Sequence, residues 1–109
     1  MVALLEKYHQ GKIDLETIVQ KTAHNPARLF EIRDRGFIRE GYKADLVLYD
    51  LQAPWTVSKQ NLLYKCRWSP FEGTVFKSRV THTFVNGALA YQNMKFPNRT
   101  IGERLEFNR

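Results

Sequence analysis

The chain changes its hydrophobic period at Gly36, and that switch limits what it can fold into more than any other feature. Before it, apolar residues recur at helical spacing; after it, they alternate. In the opening stretch Val2, Leu4, Leu5 and Tyr8 fall roughly on one stripe, which Gly11 ends. Asp14 then stands where an N-cap belongs, ahead of Leu15, Ile18, Val19 and Thr22 at helical spacing up to Ala23. Asn25 and Pro26 predict the start of a third, short helix, because a proline in the first turn forfeits only an N–H that has no partner there. Leu29, Phe30 and Ile32 give that helix an apolar face.

Beyond the switch, Gly36 and Gly41 mark turns before the run KADLVLYD, where Ala44, Leu46 and Leu48 alternate with Val47 and Tyr49 and Asp50 closes a strand. The run APWTVS predicts a short edge strand after Pro54. Two β-rich runs in RVTHTFVNGALAY flank Asn86 and Gly87, the pair that best tolerates the positive φ angles of a type I′ hairpin turn. The tail has weak periodicity and reads as a loop with a short strand. Helices followed by strands define an α+β chain. Its helices are apolar enough to require a large partner, and a few short strands offer a small one. The expectation is therefore a part of something larger.

Size agrees with one modest domain: 109 residues, 43% hydrophobic and 26% charged, the balance of a globular protein rather than a disordered one. No apolar run approaches the roughly 18 residues that cross a bilayer. The opening residues lack the basic start and small-residue cleavage site of a signal peptide, so a cytoplasmic location without membrane contact is expected. A single cysteine, Cys66, excludes an internal disulfide. The net charge of +6 raises the question of nucleic acid. The densest basic group, Arg33, Arg35, Arg39 and Lys43, is interrupted by Asp34 and Glu40 and reads as a solvated face. A basic nucleic-acid-binding module stays as an alternative on charge alone.

Chemistry-bearing patterns are scarce. His9, His24 and His82 form no H-x-H or H-E-x-x-H pair, and none lies at zinc-ligand spacing from Cys66. Cys66 has no base nearby in sequence to activate it. Asp50 and Glu72 are candidate acids without an identifiable partner, and the isolated glycines form no phosphate-binding loop. Asn98, Arg99 and Thr100 match a glycosylation sequon formally.

Taken in order, NPARLF, GFIREGYKADLVLYD, KCRWSPFEG, VTHTFVNGALAY and GERLEF resemble the C-terminal part of dihydroorotases of the amidohydrolase superfamily, over essentially all 109 residues. The pattern from Gly36 to Val47, G-x-I-x-x-G-x-x-A-D-L-V, is broad within that superfamily, and Lys65 to Gly73 is the narrower signal. Arg67 stands where a smaller residue is expected from that likeness. The resemblance implies a metal-bearing (β/α)₈ barrel, which needs roughly 250 residues, together with a small β-sandwich built from both chain ends. Residues 1–32 then correspond to the last barrel helices and 33–109 to the C-terminal share of the sandwich, a composite domain.

The chemistry it implies is interconversion of N-carbamoyl-L-aspartate and L-dihydroorotate in pyrimidine biosynthesis, with zinc activating water. The family's metal ligands and proton-shuttling aspartate lie upstream of the matched part. No residue here takes a catalytic or metal role, and no zinc is expected on this segment. Trp68, Pro70, Phe71 and Gly73 are expected to pack where the sandwich meets the barrel. The implied partner is that missing barrel, and the isolated segment is expected to self-associate. A noncatalytic dihydroorotase-like assembly subunit is the second alternative.

Overall fold

A computed structural model describes residues 1–98 and 102–109. Helix α1 (Val2–His9) buries Leu5 completely and stops at Gly11, whose φ is +69°. Helix α2 (Leu15–Val19) begins on Asp14, whose Oδ1 accepts the Thr17 N–H at 2.7 Å. Hydrogen bonding from the Thr17 side chain, and then from its backbone N–H, holds the Asp14 carboxyl below its ordinary pKa, since both favour the charged form.

The third helix does not start afresh at Asn25. A π-helical turn (Gln20–His24) carries α2 directly into α3 (Asn25–Leu29), and Asn25 itself is helical at φ −66° and ψ −43°. The Asn25 N–H reaches back to the Gln20 carbonyl, a five-residue step. Such a widened turn gives the ring of Pro26 room beside the preceding turn, and proline has no N–H to lose. Thr22 helps by donating its hydroxyl to the Ile18 carbonyl at 2.7 Å. On α3 the buried residue is Ala27, while Leu29 and Phe30 of the expected apolar face are exposed and Ile32 beyond it is half-buried.

Strand β1 (Leu46–Asp50) pairs antiparallel with β4 (Arg79–Val85), which pairs in turn with β5 (Ala88–Gln92), giving the order β1-β4-β5. The turn between β4 and β5 has Asn86 at φ +50° and Gly87 at φ +80°, the type I′ geometry that this pair predicts. The alternation expected of β1 is broken by a bulge between Leu48 and Tyr49. Leu46 and Tyr49 are therefore the half-buried positions, and Val47 and Leu48 both face outward. A separate two-stranded ladder pairs β2 (Trp55–Thr56) with β3 (Val75–Phe76), and its first strand is the short one expected after Pro54. The chain is thus mixed α+β, with small helices beside antiparallel sheets.

Helix α1 docks on the small ladder. The Lys77 N–H donates to Glu6 Oε2 at 3.2 Å, and His9 Nε2 shares a 2.7 Å hydrogen bond with the hydroxyl of fully buried Ser78. The other end of the helical segment meets the sheet through Gly36, packed against Ala23 and Ala27. Next to it, Phe37 stacks on His24 with ring centroids 4.3 Å apart and carries the Arg39 guanidinium 4.3 Å from its own centroid. In the tail, Ile32 and Phe107 form an isolated antiparallel bridge. The Asn98 amide donates to the Leu89 carbonyl at 3.0 Å; Arg99 and Thr100 of the sequon lie outside the described residues.

The architecture leaves much surface uncovered. The radius of gyration is 15.4 Å, where a compact domain of this length has about 13 Å. The accessible surface is 8233 Å², where a compact monomer of 12.8 kDa exposes about 6,300 Å². Large apolar side chains are among those left uncovered: Leu29, Phe30, Ile38, Leu63, Trp68 and Phe96 are all more than half exposed. Among the described residues, no helix is long and apolar enough to cross a membrane.

Candidate functional site

The segment Tyr64–Gly73 is a chain of tight turns hung on the β2–β3 ladder. Gly73 donates its N–H to the Val57 carbonyl at 2.8 Å, and Val57 donates to Thr74 at 2.9 Å, so the ladder continues past the strand ends. Ser69 is the pivot: buried, it accepts the Phe71 N–H on its hydroxyl at 3.0 Å and the Glu72 N–H on its carbonyl at 3.2 Å. Gly73 has φ +83°, and a Cβ built there meets nothing within 4 Å, so glycine serves the backbone angle and not a close approach. Pro70 is exposed in the turn between them.

The aromatic residues here form a row. Phe71 packs edge-on against Phe76 at 5.5 Å, and Phe76 lies 5.8 Å from Trp55. The indole N–H of Trp55 donates to the Ser78 carbonyl at 2.9 Å, and Ser78 also holds His9. Within this chain, however, Trp68 is 65% exposed and Phe71 46% exposed. Cys66 is exposed too, and its thiol has only a long 3.9 Å contact to the Trp68 carbonyl.

Arg67 takes φ +49° with no glycine to ease it. A left-handed angle costs an L-residue about 1–2 kcal/mol, which glycine avoids at some cost in unfolded-state entropy. Arg67→Gly is accordingly expected to stabilise the fold by about 1 kcal/mol, read as a rise in the denaturant midpoint. A fall in that midpoint would mean the guanidinium contributes packing that outweighs the strain.

A second knot lies at the other end of the molecule. Asp45 Oδ1 accepts the Asn86 N–H at 2.8 Å, at the tip of the hairpin, while its Oδ2 pairs with the guanidinium of Arg35. Ala44 takes part through its carbonyl, which accepts the Gly87 N–H at 3.0 Å. The pattern from Gly36 to Val47 thus describes one device: Gly36 admits the helix, and Ala44 and Asp45 grip the turn of Asn86 and Gly87.

The residues with metal or catalytic potential do not gather. His9 is engaged with Ser78, His24 with Phe37, and His82 with the Thr81 hydroxyl at 2.9 Å and the Phe84 ring. Asp50 accepts the Gln52 N–H in its own turn. Among the described residues, no group of three or more His, Cys, Asp or Glu is placed to hold a metal ion. The zinc that the resemblance implies does not fit the donor set present here. Sequence reasoning missed the roles of Ser69, Ser78, Trp55 and the Arg35–Asp45 pair; of these, Asp45 carried a signal through its place in the broad motif and Ser69 through its place in the narrower one.

What the geometry defines is an α+β segment whose polar groups tie one element to another. A sequence profile described as the amidohydrolase family matches residues 8–91. Over 102 residues the chain is 34% identical to a dihydroorotase of Pyrococcus horikoshii, covering 94% of this chain and 24% of that protein. It is 36% identical to an allantoinase of Desulfitobacterium hafniense, covering 94% and 23% respectively. Among solved structures, a D-hydantoinase (dihydropyrimidinase) from Thermus sp. superposes with a TM-score of 0.75 at 28% identity, covering 90% of this chain and 22% of that one. This chain belongs to the amidohydrolase family. It spans about a quarter of the length of the curated relatives it matches.

Proposed function

We propose that this polypeptide is the C-terminal segment of a dihydroorotase-type cyclic amidohydrolase, structural in role and not catalytic by itself. The carrying observation is the surface of about 2,000 Å² beyond that of a compact monomer. An excess of that size is what one side of a large, obligate interface exposes when its partner is taken away. In this reading residues 1–32 are the last helices around a (β/α)₈ barrel and 33–109 are part of a β-sandwich. Trp68, Pro70 and Phe71 sit on the seam between them. Burying one large side chain contributes about 1.5–3 kcal/mol, so Trp68 and Phe71 would dominate local docking.

The reaction we assign to the whole enzyme is the opening and closing of a cyclic amide, with N-carbamoyl-L-aspartate and L-dihydroorotate as the pair, within cytoplasmic pyrimidine biosynthesis. Zinc and the proton-transferring groups belong to the barrel and not to this segment. Kinship to both a dihydroorotase and an allantoinase supports the cyclic-amide class.

Complementation tests this directly. A Pyrococcus horikoshii dihydroorotase lacking its matching 102 residues is mixed with this chain. The expected result is association, with dihydroorotate hydrolysis only when both pieces are present. Hydrolysis by this chain alone would overturn the proposal. Association without turnover would instead favour a noncatalytic assembly subunit, and tight, sequence-selective DNA or RNA binding would favour the basic module. In isolation the chain is expected to self-associate through its uncovered apolar surface, visible as a mass above 12.8 kDa in light scattering.

A further inference from the structure

The last residues of the sequence, from Gly102 to Arg109, form a strap along the turn that joins helices to sheet, and each of them is exposed. Its backbone is pinned at two places: Arg33 N–H donates to the Glu106 carbonyl at 2.8 Å, and Asn108 N–H donates to the Glu31 carbonyl at 2.9 Å. Phe107 faces Ile32 between them. The turn beneath is strained, with Glu31 and Asp34 both at φ +54°. Charge supplies the remaining ties. Glu106 Oε2 lies 3.4 Å from Arg33 Nη1, and Glu103 Oε2 lies 2.8 Å from Lys43 Nζ and 3.7 Å from Arg35 Nη2.

We propose that this strap is a salt-releasable clasp over the helix-to-sheet junction, held by Glu103 and Glu106 on Arg33, Arg35 and Lys43, and that it lifts while the rest of the chain stays folded. Two features argue for release as a unit. The strap contributes no buried side chain, so no packed core has to open. The pairs of Glu106 with Arg33 and of Glu103 with Lys43 are exposed, and such pairs are individually weak and screened by salt, so their hold is adjustable. The helices keep separate ties to the sheets that the strap does not touch: Gly36 against Ala27 near the junction, and Glu6 on the Lys77 N–H and His9 on Ser78 at the far end. Local opening of a weakly held surface segment is the ordinary low-energy excursion of a folded protein.

Limited trypsin digestion of the full chain reads the lifted state, because cleavage after Arg104 tracks the population that is open. Salt is varied from roughly 0.01 M to 1 M, over which the Debye length falls from about 30 Å to about 3 Å. The expected result is an increase of about tenfold in that cleavage for the native chain. The E103Q/E106Q variant should be cut about tenfold faster than the native chain at low salt and change little with salt, which also reports the protease's own salt response. Far-UV circular dichroism should stay constant across the titration. Equal cleavage of the two chains at low salt, or loss of secondary structure in step with cleavage, would overturn the clasp.

Discussion

Gly36→Ala is expected to destabilise the protein by about 3–5 kcal/mol, while the same change at Gly41 costs only about 1 kcal/mol. The two glycines have nearly the same backbone angle, φ +82° and φ +81°, so the conformational penalty is common to both. Surroundings separate them. A Cβ at Gly36 would stand 2.4 Å from Ala27 Cβ and 2.9 Å from the Ala23 carbonyl oxygen, whereas one at Gly41 meets nothing within 4 Å. Carbon atoms rest at about 3.5–4.0 Å, so the helix must withdraw by more than 1 Å. That withdrawal disturbs buried Ala27 and the stacked pair of His24 and Phe37.

Chemical denaturation of the two single variants decides the matter, and equal losses would refute the steric account. A second substitution sharpens the test. Ala27→Gly removes the nearest atom at a helix-propensity cost of about 1 kcal/mol. Combined with Gly36→Ala, it should destabilise less than the sum of the two single changes, since the residues touch.

That contrast also shows what the sequence could and could not disclose. Gly36 and Gly41 are each an isolated glycine, and both read as turns. Only the tertiary approach of α3 tells them apart. Features set by neighbouring residues were legible: Asp14 as a cap, Gly11 as a stop, Asn86 and Gly87 as a type I′ turn. Asn25 and Pro26 misled because a helix start and a widened mid-helix turn tolerate proline for related reasons, and the local residues do not distinguish them. The bulge at Leu48 depends on a partner strand more than thirty positions away, where Leu48 lies opposite His82. The same holds for Ser78, an ordinary serine in sequence that becomes the buried junction of His9 and Trp55.

The second large effect concerns Asp45. Asp45→Ala is expected to cost about 2–3 kcal/mol, because its carboxylate serves two donors and one of them is poorly solvated. The Arg35 side chain is only 12% exposed, so an abandoned guanidinium has little water to turn to. The Asp45 carboxylate itself is 36% exposed, which keeps the figure below the 3–5 kcal/mol typical of a fully buried pair. The Asn86 N–H would also lose its acceptor at the head of the hairpin. Asp45→Asn retains an acceptor for that N–H and forfeits mainly the charge on Arg35, so a loss of about 1 kcal/mol is expected.

Glu103 supplies a further discrimination, since it approaches the same guanidinium through the other nitrogen, at 3.7 Å. If it takes over when Asp45 is removed, Asp45→Ala and Glu103→Gln together will cost more than their sum. Additive losses would mean that the two carboxylates act on Arg35 independently. A loss under about 0.5 kcal/mol for Asp45→Ala alone would remove Asp45 from the structural role that the pattern from Gly36 to Val47 gives it.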